Sequence, residues 1–259
     1  QRFVPKQLLT NLNKESILDV QLGDQVEKEM SILFSDIRSF TSLSESMTPE
    51  ENFRFVNKYL SKMGPIVRDN HGYIDKYIGD SIMALFDGSP EDAVNTSVKM
   101  LDALREYNKE RTQEGNNPIL IGIGVNTGKM MLGTLGESDR MEGSVISDAV
   151  NLAARLEGLT KLYKTPLLLS EETLLKIGNS IFDTRLIDKV AVKGKENPVM
   201  VYEVLSGESS DLRDAKISTL PKFKKGFELY QNQQFENALE LFRKCTEKVP
   251  EDGVAELYI

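Results

Sequence analysis

The chain has 259 residues, 40% hydrophobic and 28% charged, with 32 Lys and Arg against 40 Asp and Glu and a formal charge of −8. That length holds one substantial core with an accessory element, or two small domains. The spread of acidic residues argues against a surface for a nucleic-acid backbone, but not against a single nucleotide whose charge is offset by metal ions. One cysteine, Cys245, and one histidine, His71, exclude an intrachain disulfide and Cys/His metal clusters. Carboxylates and other oxygens remain as metal ligands, a set that suits magnesium or manganese.

No apolar run approaches the length of a membrane span, and no signal-peptide pattern opens the chain. A first residue of Gln1 in place of Met points to a piece of a longer protein, with any sensor or membrane anchor upstream. Residues 1–27 read as a connector, with short apolar runs through Leu8, Leu9 and Leu12 and then Ile17, Leu18 and Val20. Met30, Ile32 and Phe34 alternate with Ser31, Leu33 and Ser35, the period of a strand that ends at Asp36. Thr48, Pro49 and Glu51 form a capping box, and Val56, Tyr59, Leu60, Met63, Ile66 and Val67 predict an amphipathic helix behind it. Residues 72–78 and 81–86 read as a hairpin around Gly79 and Asp80, and Ser89–Pro90 opens a second long helix. Ile119, Ile121, Ile123 and Val125 mark a further strand with Gly122 and Gly124 on its other face. Gly128 is expected to turn it into a strand at 130–133.

A helix over about 147–162 and strands near 166–169, 181–188 and 198–205 complete an α+β fold, a mixed or antiparallel sheet with helices on one face. The polar run that opens 206–221 suits a linker. In 222–259, Phe223, Gly226, Tyr230, Phe235, Ala238, Leu241 and Phe242 resemble one tetratricopeptide repeat, open to a protein partner. A single repeat cannot bury its own face, so it leans on the main domain or has lost its neighbours.

Two carboxylates stand out. Asp36 follows an apolar strand where the backbone turns toward a helix, and Asp80 sits at a hairpin turn. If the strand lies beside the hairpin, both reach one point and can share two divalent cations over amides that suit a triphosphate. The plain alternatives are a helix cap and a turn aspartate. Lys76 reads as lying on one strand face with Ile74 and Ile78, either snorkelling or binding a ligand. Asn151 and Arg155 stand at i and i+4 on an otherwise apolar helix, as a surface pair or as a phosphate-facing amide and guanidinium.

Four stretches together (34–41, 75–86, 122–128 and 148–157) resemble the catalytic domain of class III adenylate and guanylate cyclases, over residues 28–205. The resemblance implies a ferredoxin-like βαββαβ core and a cytoplasmic homodimer with shared active sites, converting ATP to cyclic AMP with two Mg²⁺ or Mn²⁺ ions. It implies metal binding by Asp36 and Asp80, and substrate contacts from Phe40 and Thr41 in the first stretch. It also implies purine reading by Lys76 with Ser144, ribose and transition-state roles for Asn151 and Arg155, and contact of Lys193 with the terminal phosphates. Lysine at position 76, where guanylate cyclases usually carry glutamate, favours ATP. Gly143, Ser144 and Ser147 depart from the family's aromatic residue, threonine and glycine. A guanylate cyclase and a weakly catalytic nucleotide-binding regulator remain as alternatives.

Overall fold

The computed structural model describes residues 5–137, 139–178, 182–191 and 198–259. A short helix α1 (Lys6–Asn11) and a 3₁₀ turn lead into β1 (Gln25–Ile37), α2 (Phe40–Glu45) and α3 (Pro49–Asp69). The hairpin β2 (Gly72–Ile78) and β3 (Ser81–Phe86) precedes α4 (Pro90–Gln113), β4 (Ile121–Glu137) and β5 (Arg140–Ile146). Then come α5 (Asp148–Leu162), β6 (Leu167–Ser170), α6 (Glu171–Ile177), β7 (Thr184–Val190) and β8 (Val199–Val204). Three helices end the chain: α7 (Ser210–Gln231), α8 (Phe235–Lys248) and α9 (Gly253–Leu257). Among the described residues, no helix is long and apolar enough to cross a membrane.

The sheet runs β2-β3-β1-β4-β6-β8-β7, with β5 paired to β4. The β4–β6 pairing is parallel and the others are antiparallel, so the sheet is mixed. The capping box forms as the sequence suggests: the Thr48 hydroxyl accepts from Glu51 N at 3.3 Å, and the Glu51 carboxylate accepts from Thr48 N at 2.8 Å.

Four expectations are corrected. Helices cover both faces of the sheet, not one. Helices α3 and α4 pack on Leu33, Ile37, Ile121 and Ile123, while α1 and α5 cover Met30, Ile32, Met83 and Leu132 opposite. Gly122 and Gly124 leave the second face open enough for α5 to settle on it. Second, β4 runs straight through Gly128, which pairs with Met30 on β1, because ladder pairing along the whole of β1 outweighs a glycine's weak strand preference. Third, residues 140–146, read only as a run into α5, form β5 against the far half of β4. Fourth, most of the 206–221 linker is the first half of α7: its polar start is the helix entry, and Lys216 and Thr219 are buried in it.

The C-terminal helices lean on the main domain. Phe223, Phe227 and Phe242 join Leu152, Leu156, Leu168, Ile187 and Val201 in one apolar cluster. A buried charge network pins the same contact. Arg185 on β7 bonds Glu203 on β8 and reaches Asp252 at 2.8 Å, while Lys216 on α7 donates to Glu203 at 2.7 Å. Burial raises the Glu203 pKa, but Arg185 and Lys216 outweigh it and hold the group at about 2. Glu203→Ala would remove the carboxylate that Arg185 and Lys216 share, leaving each a single partner in Asp252 and Glu208, and is expected to cost ~3 kcal/mol. Thermal unfolding should fall by roughly 10 °C, whereas Glu240→Ala, which breaks an exposed pair with Lys244, should move it by no more than about a degree.

Candidate active site

The site begins with the pairing of β1 and β3. Ser35 lies opposite Ile82, so the end of β1 abuts the start of β3 and the turn before it. This brings Asp36 and Asp80 together. Ser81 Oγ donates to Asp36, and Ile37 N donates to Asp80 Oδ2 at 3.1 Å. Asp80 is only 8% exposed. Burial, and then the charge of Asp36, push its carboxyl up to about 6. Two close carboxyls offering oxygen donors alone fit a hard divalent cation. Among the described residues, no group of three or more His, Cys, Asp or Glu forms a ready metal cage.

A third carboxyl, absent from the sequence reading, stands behind this pair. Arg38 Nη1 donates to Glu157 on α5 at 3.2 Å. Burial raises the Glu157 pKa to about 7; Arg38 opposes that rise, while Asp36 and Asp80 add to it. The Arg38 guanidinium lies over Gly122, in space that any β-carbon would occupy.

Lys76 sits differently from the alternation read in sequence. The β2–β3 register shifts between Ile74 and Lys76, pairing Ile74 with Ala84 but Lys76 with Met83. The extra residue, Asp75, forms a bulge that moves Lys76 off the Ile74 face and onto the face of Tyr73 and Met83. This is the face of α1 and α5. Lys76 there lines a cavity of about 490 Å³ with Asp75, Glu142, Gly143 and residues of the N-terminal segment. Leu8 of α1 fills the space beside Gly143 where a side chain would project.

Ser144 is half-buried and pairs with Gly133, one position out of step with Gly143 and Val145, so it points from the opposite face of β5. Helix α5 starts from Ser147, whose hydroxyl accepts from Ala149 N at 2.9 Å and donates to Lys129 O at 2.6 Å. Leu152, Ala153 and Leu156 face inward, which leaves Asn151 and Arg155 exposed. The Phe40 ring stacks on Phe55, 6.4 Å between centroids, and is half-buried against the core, while Thr41 is exposed. Lys193 lies outside the described residues.

The model of the adenylate and guanylate cyclase catalytic domain matches residues 23–206. The chain belongs to that family. It is 39% identical over its whole length to the terminal-differentiation specific adenylate cyclase of Dictyostelium discoideum, spanning 12% of that protein. It is 43% identical over 79% of its length to an adenylate cyclase of Anabaena cylindrica, spanning 42% of it. Among solved structures, the adenylyl cyclase CyaB from P. aeruginosa superposes with a TM-score of 0.63 at 33% identity, covering 70% of this chain and 95% of that one.

In this cyclase domain the burial of Asp80, with Asp36 beside it, predicts a thermal-shift result. A carboxyl whose native pKa exceeds its unfolded value destabilises the fold once both states are ionised, above pH 6. Asp80→Asn keeps an acceptor for Ile37 N and removes the charge. Without divalent cations at neutral pH it should melt about 2–4 °C above the parent, and Mn²⁺ should raise the melting point of the parent alone.

Proposed function

We propose that this chain is the catalytic part of an adenylate cyclase, acting as a homodimer that converts ATP to 3′,5′-cyclic AMP and pyrophosphate. The observation that carries the reading is the division of the site residues within one chain. Asp36 and Asp80 converge at the β1–β3 junction, while Asn151 and Arg155 stand exposed on the outer side of α5. A two-fold axis that brings the second copy's α5 over these carboxylates completes two equivalent sites.

Asp36 and Asp80 would hold the two Mg²⁺ or Mn²⁺ ions, which when bound favour the ribose 3′ alkoxide and offset the triphosphate charge. Asn151 from the other copy orients the ribose. Arg155 beside it meets the negative charge that grows on the α-phosphoryl oxygens as the 3′ oxygen bonds to phosphorus and pyrophosphate leaves. The backbone at Phe40 and Thr41, with Lys193, receives the β- and γ-phosphates. Because the family takes both adenine and guanine nucleotides, the choice rests on side chains. Lys76 donates to a ring nitrogen that is an acceptor in adenine and carries hydrogen in guanine. The cytoplasm supplies both ATP and magnesium.

Purified protein with ATP and Mn²⁺ should form cyclic AMP, and Asp80→Ala should lower the rate by ~10³-fold. Cyclic GMP as the main product from mixed nucleotides would overturn the choice of ATP, and no product from either nucleotide would overturn the enzyme. Asp36→Ala and Arg155→Ala chains, each inactive alone, should regain about a quarter of the parent rate when mixed. Half of randomly paired dimers are mixed, and each keeps one intact site. Confirmed mixed dimers without activity would rule out sharing.

A further inference from the structure

The chain just after Asp36 is a strained turn. Strand β1 ends at Ile37, and Arg38 N donates to Leu120 O at 2.8 Å. Ser39 then enters α2 with φ at 54°, a left-handed conformation that costs a serine energy, and its side chain makes no cap for the helix. Asp36 stands on one side of this turn, and Phe40 and Thr41 on the other. What reaches out from it is the Arg38 side chain. The guanidinium crosses Gly122, in space that a β-carbon there would fill, and Nη1 donates to Glu157 on α5 at 3.2 Å.

Glu157 makes a firm post for that bond. Its own amide nitrogen lies against Gly124, where α5 rests directly on β4. The bridge itself is a poor stabiliser. Its two side chains are only 19% and 17% exposed, and a buried ion pair gains little over an apolar pair of the same shape. Arg38 Nη2 is also buried without a hydrogen-bond partner, a further cost. A bond that adds little stability, yet ties a strained turn to a fixed helix, acts on position. We propose that Glu157, through Arg38, is a positioning residue for the metal-binding end of β1, holding Asp36 and the turn after it in place beside Asp80. The assignment rests on the metal-site reading above. Because α5 is already fixed by β4, the effect runs from the helix to the chain's own Asp36 and not outward to Arg155.

The test measures Mn²⁺ binding to the full chain by calorimetry at about pH 8, where Glu157 is ionised, and the Mn²⁺ dependence of turnover. Arg38→Met with Glu157→Leu removes one charge of each sign and leaves an apolar pair, so it should melt no lower than about 2 °C below the parent. It should nevertheless bind Mn²⁺ ~10-fold more weakly, with kcat at saturating Mn²⁺ within about threefold of the parent. Two milder variants separate position from charge. Glu157→Gln keeps an acceptor for Arg38 and should stay within about threefold in Mn²⁺ affinity. Glu157→Asp keeps the charge but withdraws it by one methylene, and should bind Mn²⁺ more weakly than Glu157→Gln. Parent-like Mn²⁺ affinity in the folded double variant, or the reverse order of Asp and Gln, would overturn the assignment.

Mixed dimers with one intact site give the direction of the effect. The double substitution should raise the half-saturating Mn²⁺ ~10-fold when it sits in the Arg155→Ala chain, which gives Asp36 to that site. Placed in the Asp36→Ala chain, which gives Arg155, it should shift that value far less, and an equal rise from either chain would overturn the proposal. If the parent makes no cyclic AMP yet binds Mn²⁺ more weakly in Glu157→Asp than in Glu157→Gln, the cyclase reading falls and the assignment stands. Mn²⁺ binding that ignores Asp80→Asn would overturn both.

Discussion

The position of α5 depends on a contact between bare backbones. A β-carbon on Gly124 would come within 2.5 Å of Ala153 O and would also meet Glu157 N, so the helix rests directly on β4 with no side chain between them. Asn126, buried on the same strand, donates to Ala149 O at 2.9 Å and accepts from Ser170 at 2.6 Å. Ser147 ties the first turn to Lys129. Held at its start by these polar bonds and along its length by the glycine contact, α5 has little freedom to roll. Its inward face is committed to Leu152, Ala153 and Leu156, so the outward direction of Asn151 and Arg155 follows from the packing.

The depth of that contact also sets the electrostatics of the site. It brings Glu157 within reach of Arg38 and into the field of Asp36 and Asp80, so the one guanidinium, which also feels Asp36, stands in a group of three carboxyls. The network at the other end of the sheet is differently arranged. There Arg185 and Lys216 share Glu203, Arg185 also holds Asp252 and Lys216 also holds Glu208, and Glu203 is held fully ionised. Both networks are buried and both shift pKa values, so perturbation alone does not separate structure from function. The balance does. In the first, one cation stands among three carboxyls beside the β2–β3 turn; in the second, Arg185 and Lys216 each hold two carboxylates, with Glu203 shared between them across a buried contact.

The sequence made the chemistry easier to see than the geometry. Asp36 and Asp80 were legible because strand period and turn composition placed each at the end of an apolar run, and α5 because its apolar spacing is helical. The bulge at Asp75 was not, since period-two alternation assumes an unbroken strand and one extra residue reverses every face beyond it. Strand β5 was hidden because Glu142, Gly143 and Ser144 have weak strand preference and are held by pairing with β4. Helix α7 was read as a linker at its start because the polar residues of a helix entry have the composition of a loop. Its buried Lys216 looks like a surface lysine until Glu203 and Glu208 are placed beside it.

These constraints decide how one chain can serve the reaction. The carboxylates are fixed by the β1–β3 ladder, and Asn151 and Arg155 by a helix that cannot turn them inward without breaking its contact with Gly124. No rotamer change carries an exposed side chain from the outer side of α5 through a packed helix to the strand ends beneath it. Completing the set by moving α5 would remove the packing that places Glu157 beside Arg38. In the proposed homodimer a second copy would supply the missing side chains with neither chain distorted, at the cost only of association. Each chain would then divide these residues between two sites, and the Arg38–Glu157 bridge would join the half given to one site to the half given to the other.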